Sequence, residues 1–200
     1  MTKALLAVGP RASPRAPPIA FAVSKLAAIL LAFAASAALQ ASEIQTVGLT
    51  IQKTPDGMAR ATSRTVASIL AYSHWPQEHR PLRLCVGGSP AHADLLTGLT
   101  LPNGTPTVRS DVNRPDSGIS TKCDALYLGP QPLKVRRDLL EQVRNAAVVT
   151  IVEDDPYCRI GAMFCLYASQ GVLSFRLNID AVSRSQVRVD PRVLRVAGEL

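Results

Sequence analysis

The segment from Ala147 to Val152 is a continuous apolar run with a single threonine, Ala-Val-Val-Thr-Ile-Val. Apolar and polar side chains do not alternate along it, so a strand formed by these residues must be buried on both faces. Strands of that kind are typical of parallel sheets that helices cover on both sides. The run therefore predicts a layered α/β domain.

The segments on either side alternate between helical and extended patterns, which favours the same fold class. Helices are predicted over 54–73, 91–99 and 132–146, the last with apolar residues on one face and charged residues on the other. Strands are predicted over 82–86, 105–112 and 123–128, and residues 113–122 are predicted as a loop. A hairpin over 163–168 and 172–179 follows, and two short helices, near Ala181 and over 191–197, come last. We expect one layered α/β domain with a mixed, partly parallel sheet, flanking helices and a late β-hairpin.

Residues 1–41 have the layout of a secretory signal peptide, with a basic region, an apolar segment from Leu26 to Ala34 and small residues around Ala37. We expect cleavage between Ala37 and Ala41, export to the periplasm and a single mature domain over 42–200. An uncleaved membrane anchor is the alternative. The leader contributes four of the seven net positive charges of the chain, because it contains no acidic residue and four basic ones, Lys3, Arg11, Arg15 and Lys25. Without it the chain is only mildly basic, so no nucleic-acid partner is expected.

All four cysteines, Cys85, Cys123, Cys158 and Cys165, follow the leader. Export permits disulfides, and four cysteines allow three connectivities. No pair has the C-x-x-C spacing of zinc ribbons or thioredoxin-like redox sites. The simplest pairing joins the two late cysteines across a short turn and leaves Cys85 with Cys123.

Three short motifs are candidates for chemistry, and we favour a structural interpretation of each. Gly87-Gly-Ser-Pro90 follows a strand and could offer N–H groups to an anion, but it lacks the P-loop lysine and the third glycine of a dinucleotide fingerprint. His74 and His79 are too few, and too far apart on a helix, for a metal site. Glu153-Asp-Asp155 could hold a hard cation. It lies where a strand meets a loop, however, and acidic side chains at such positions are commonly just solvated. We therefore predict no catalytic residue, no cofactor and no metal.

The cysteine-bearing segments resemble the YfiR family of periplasmic regulators over essentially the whole mature chain. The resemblance rests on the close late cysteine pair and on a Phe-x-x-Asn strand with the helix that follows it. The segments that carry it are Tyr72–Pro76, Leu82–Gly88, Cys123–Leu128, Val149–Val152, Cys158–Leu166, Leu173–Ala181 and Val187–Leu194.

The resemblance implies a non-enzymatic repressor that binds the external sensor domain of an inner-membrane diguanylate cyclase, which lowers cyclic-di-GMP and biofilm formation. It implies the pairing of Cys85 with Cys123 and of Cys158 with Cys165. It also implies an outer-membrane lipoprotein that sequesters the repressor, and a homodimer. An exported domain that binds a small ligand and signals to another partner is the alternative.

Two surface features are candidates for partner binding. One is the corner at Trp75. The other is the basic face of the helix predicted over 132–146, with Arg136, Arg137 and Arg144.

Overall fold

The computed structural model describes residues 48–112 and 118–196. The predicted signal peptide lies outside these residues. The strands in the described part are β1 (Leu49–Thr50), β2 (Ser73–His74), β3 (Leu82–Gly87), β4 (Thr107–Val112), β5 (Ala125–Leu128), β6 (Val149–Val152), β7 (Phe164–Ser169), β8 (Val172–Leu177) and β9 (Arg188–Val189). The helices are α1 (Gly57–Ala71), α2 (Ile119–Lys122), α3 (Leu133–Gln142), α4 (Ile179–Arg184) and α5 (Val193–Val196).

Seven of these strands form one mixed sheet in the order β1-β8-β7-β6-β5-β3-β4. Strands β4, β3, β5, β6 and β7 pair in parallel, whereas β8 pairs antiparallel with both β7 and β1. The predicted fold class is therefore confirmed, including the late hairpin of β7 and β8. The short strands β2 and β9 form a separate two-stranded sheet.

Helices cover both faces of the sheet and create two apolar cores. The larger core includes residues of α1 together with Leu84, Tyr127 and Ile151. The smaller core includes residues of α3 together with Leu126 and Val152. Successive residues of β5 and β6 point to opposite cores, as the two-residue period of a strand requires. This is why the 147–152 segment is apolar throughout.

Four predicted elements differ from the structure. The helix predicted over 54–73 is shorter, since α1 spans Gly57–Ala71 and Ser73 belongs to β2. The helix expected over 91–99 is only a 3₁₀ turn, Asp94–Leu96, and the N–H groups of Ala91 and His92 just before it bond to the Glu153 carboxylate. The loop expected over 113–122 contains α2. The helix expected to reach residue 146 ends at Gln142, and Asn145 has a left-handed φ of 62° that leads the chain into β6.

Candidate interaction surface

Both disulfides lie on the α3 side of the sheet. Cys85 is linked to Cys123 over a sequence separation of 38, and Cys158 to Cys165 over a separation of 7. This is the pairing that the sequence favoured. Cys85, Cys123 and Cys165 are buried in the smaller core, and Cys158 packs against it. A small core with few large side chains gains stability from covalent links of this kind.

The carboxylate of Glu153 is buried at the carboxyl end of β6 and accepts three hydrogen bonds. The backbone N–H groups of Ala91 and His92 donate to its two oxygens at 2.9 and 3.0 Å. The hydroxyl of Tyr127 donates to Oε1 at 3.1 Å. Burial, and then the charge and hydrogen bond of Glu153, raise the pKa of Tyr127, so the hydroxyl stays protonated and remains a donor. The N–H groups beside the Gly87–Pro90 turn are thus bonded within the protein.

These contacts show what the first residue of the Glu153–Asp155 motif does. The Glu153 carboxylate joins β6 to the segment after β3. In the described ranges, no group of three or more His, Cys, Asp or Glu side chains is arranged to hold a metal ion.

A second buried carboxylate, Asp124, lies just before β5 and binds the side chains that surround the Trp75 corner. The Arg83 guanidinium contacts both carboxylate oxygens, through Nη2 at 2.7 Å and Nε at 3.0 Å. Nδ1 of His79 lies 2.9 Å from Oδ1, so His79 also belongs to this cluster. The indole N–H of Trp75 donates to the Asp124 carbonyl at 2.9 Å.

Acid should weaken the Asp124 cluster. Burial alone would raise the pKa of Asp124, but the hydrogen bonds and charge of Arg83, aided by His79, outweigh it and hold the pKa below its usual value. A carboxyl group with a depressed folded pKa stabilises the protein above its unfolded pKa of about 3.9, and that stabilisation is lost as the pH falls through the folded pKa. We expect Asp124→Asn to reduce the difference in unfolding free energy between pH 7 and pH 3.

Denaturant titrations of the wild type and the variant at both pH values measure this effect. Asp138→Asn, at an exposed pair with Lys134, is the matched control and should keep the wild-type difference. If Asp124→Asn also keeps the wild-type difference in unfolding free energy between pH 7 and pH 3, Asp124 does not contribute to the acid sensitivity.

The four candidate partner-binding residues differ in their position and exposure in the structure. Trp75 is half-buried, packs against the larger core and lines cavities on both of its sides. Arg136 is half-buried near the start of α3, with Nη2 3.5 Å from the Gln131 carbonyl. Arg137 and Arg144 are exposed and line one cavity together.

The cavity beside Arg137 and Arg144 has a third arginine, Arg184 of α4, which the sequence analysis did not single out. We call it the arginine cavity. Its volume is about 270 Å³, and it lies between α3, α4 and the start of β6. The only sequence signal for Arg184 was its four-residue spacing from Asp180, which is common on exposed helices. Arg184 lies beside α3 only because the chain turns back toward α3 after β8.

The arginine cavity adjoins the Trp75 corner. Gln186 and Ala147 line a cavity at Trp75. Ser185, next to Gln186, and Asn145, two residues before Ala147, line the arginine cavity. Both cavities therefore lie at the edge where the parallel strands begin, and together they form a continuous surface that we call the strand-origin surface.

The fold and these contacts define a disulfide-linked α/β domain with a basic, cavity-bearing surface. A family model described as YfiR/HmsC-like (DUF4154) matches residues 59–198, which is most of the chain. The chain therefore belongs to the YfiR/HmsC-like family. Members of this family are regulators rather than enzymes and act in diguanylate cyclase systems.

Two solved enzyme structures are also similar to parts of the chain. One is O-acetylhomoserine sulfhydrylase of Wolinella succinogenes, at 17% identity and a TM-score of 0.36, with 57% of this chain and 37% of that chain covered. The other is alanine–glyoxylate aminotransferase from Nostoc sp., at 13% identity and a TM-score of 0.43, with 74% of this chain and 44% of that chain covered. The chain thus spans less than half the length of either enzyme.

Proposed function

We propose that this protein is a periplasmic repressor that binds the external sensor domain of an inner-membrane diguanylate cyclase and lowers cyclic-di-GMP. The observation that carries the proposal is the family match over residues 59–198. Residues 1–41 act as the signal peptide, and residues 42–200 form the exported regulator. Within residues 48–112 and 118–196, no helix is long and apolar enough to cross a membrane.

The strand-origin surface is the partner-binding surface in this proposal. It combines a half-buried Trp75, which is a residue type enriched at interfaces, with the exposed guanidinium groups of Arg137 and Arg144. Arg136 extends the basic face along α3.

The proposal sets an energetic requirement. A periplasmic protein reaches a cytoplasmic catalytic domain only through the external domain of the cyclase, so it must bind one conformation of that domain more tightly than the other. A shift from mostly active to mostly inactive cyclase needs about 5 kcal/mol of differential affinity. An interface of at least about 1,000 Å² normally provides contacts of that strength. An outer-membrane lipoprotein that occupies the regulator would reverse the repression, and a homodimer would present the surface twice.

Deletion of the gene should raise cyclic-di-GMP and surface attachment, and a second deletion, of the partner cyclase gene, should return both to baseline. Expression of the wild type should restore repression. We expect Arg137→Glu with Arg144→Glu to fail to restore it at an equal protein level, because both changes reverse charge on the binding surface. Arg60→Glu, on the exposed face of α1, is the matched control and should restore repression.

Unchanged cyclic-di-GMP in the single deletion, under conditions in which the wild type expresses both proteins, would contradict the repressor role.

The position of the mature N-terminus tests export separately. It should lie between Ala38 and Glu43, and an intact leader in the membrane fraction would contradict a released regulator.

The second candidate function is an exported sensor of a small ligand. A cavity of about 220 Å³ lies at the carboxyl ends of the parallel strands, the usual ligand position in open α/β sheets, and His92, Pro130 and Tyr167 are among its lining residues. A ligand that stays bound through purification and is detected by native mass spectrometry would favour this function.

A further inference from the structure

The arginine cavity has an apolar floor beneath a basic rim. The floor consists of buried side chains from three parts of the fold, namely Leu140, Val143, Val148 and Met163. The rim carries the guanidinium groups of Arg137, Arg144 and Arg184. Small-ligand sites generally combine a mostly apolar surface with a few convergent polar groups. A volume of about 270 Å³ suits a ligand about as large as a single aromatic ring with a short polar group.

Acidic residues pair with two of the three guanidinium groups of the rim, those of Arg144 and Arg184. Glu141 is the one acidic residue among those that line the cavity, and it pairs with Arg144 at 3.1 Å. Arg184 pairs with Asp180, which does not line the cavity. Arg137 has no ion pair or hydrogen bond to any residue of the described ranges. The rim therefore offers at least one unpaired guanidinium group, which can bind a carboxylate with two parallel hydrogen bonds.

The walls are fixed by contacts that do not involve the rim arginines. The wall at Asn145 is tied to the segment just after α4 by two hydrogen bonds. The Gln186 side chain donates to the Asn145 carbonyl at 2.7 Å, and Ser185 Oγ donates to the Ala146 carbonyl at 3.1 Å. The opposite wall, Ile160 and Gly161, belongs to the loop that the Cys158–Cys165 disulfide closes. The Met163 N–H donates to Thr150 Oγ1 at 2.8 Å. A site with fixed walls loses little conformational entropy when a ligand binds.

We propose that the arginine cavity binds a small organic carboxylate with an apolar body, the carboxylate at the rim and the body on the floor. The site is separate from the cavity at the carboxyl ends of the strands, because the two have no lining residue in common. The inference does not depend on the repressor role, since ligand binding is measured on the isolated protein.

The test is a titration of the mature ¹⁵N-labelled protein with benzoate, followed by amide chemical shifts and by calorimetry. We expect saturable shifts confined to α3, residues 145–148, residues 160–163 and α4. Benzamide has the same shape without the charge, and inorganic phosphate has the charge without the apolar body. Each should bind at least about tenfold more weakly, because each lacks one of the two recognised features.

The variant Arg137→Gln with Arg184→Gln should weaken benzoate binding at least about tenfold. Arg137→Lys should weaken benzoate binding less, because lysine keeps the positive charge, although it lacks the planar fork of the guanidinium group. Arg60→Gln on α1 is the matched control and should bind like the wild type. Spectra of the unliganded variants show whether they are folded. Absence of shifts up to 10 mM benzoate, equal binding of benzamide or phosphate, or unchanged binding by the folded double variant would each overturn the proposal.

Discussion

Replacement of Cys85 and Cys123 by alanine is expected to lower the free energy of unfolding by about 4 kcal/mol. A disulfide restricts the unfolded chain more when it closes a longer loop, and the sequence separation here is 38. The same relation gives about 2 kcal/mol for the Cys158–Cys165 link, whose separation is 7. Alanine is preferred to serine because Cys85 and Cys123 are buried in the smaller core, where a hydroxyl would lack a partner.

Denaturant unfolding of the two double variants under identical conditions measures the difference. The Cys158→Ala with Cys165→Ala variant is the matched control, since it also removes one disulfide from the same side of the sheet. The midpoints are comparable only if the denaturant dependence is the same in both variants. Equal losses, or a larger loss for the shorter loop, would contradict the loop-length explanation.

The second large effect is expected at Glu153. Glu153→Ala should lower the free energy of unfolding by about 3 kcal/mol, because it leaves the fully buried Tyr127 hydroxyl and two backbone N–H groups without their acceptor. Most of the loss should come from Tyr127, since Ala91 is exposed and its N–H group can bond to water. Thermal or denaturant unfolding checks the value.

Two further variants separate this network from general effects of the loop. Asp154→Asn changes the exposed neighbouring acid, keeps a residue type that tolerates its left-handed φ of 55°, and should alter stability by less than about 0.5 kcal/mol. Tyr127→Phe removes one donor and leaves the carboxylate bonded, so it should cost about 1 kcal/mol. In the double variant with Glu153→Ala, the two losses should not add, because both remove the same hydrogen bond. Additive losses would show that Tyr127 and Glu153 act independently.

Local sequence patterns predicted the layered α/β fold because its elements have strong periodic signals. The charged and apolar faces of the 132–142 segment and the continuous apolar run before Glu153 are visible without any knowledge of the tertiary structure. The boundaries were less accurate where residues bond to distant parts of the chain. Ala91 and His92 donate to Glu153, and the Ala93 carbonyl accepts from Arg109, and both partners lie far away in sequence.

The arrangement of the surface depended on contacts that no local pattern contains. The sequence predicted Arg137 and Arg144 on one helix, but α3 ends at Gln142 and Arg144 lies in the turn after it. Arg184 reaches the same cavity only because α4 follows the β7–β8 hairpin. Likewise, the sequence pattern of Glu153 was that of an acid where a strand meets a loop, and Asp124 carried no signal of its own. Parallel pairing brings strands from distant parts of the chain side by side, so their ends acquire neighbours such as Ala91, Tyr127 and Arg83. The sequence by itself determined which residues are apolar, charged or able to form disulfides, and thereby the class of fold. Only the tertiary structure decided which charges are buried and bonded and which remain exposed, because burial depends on residues that are distant in sequence.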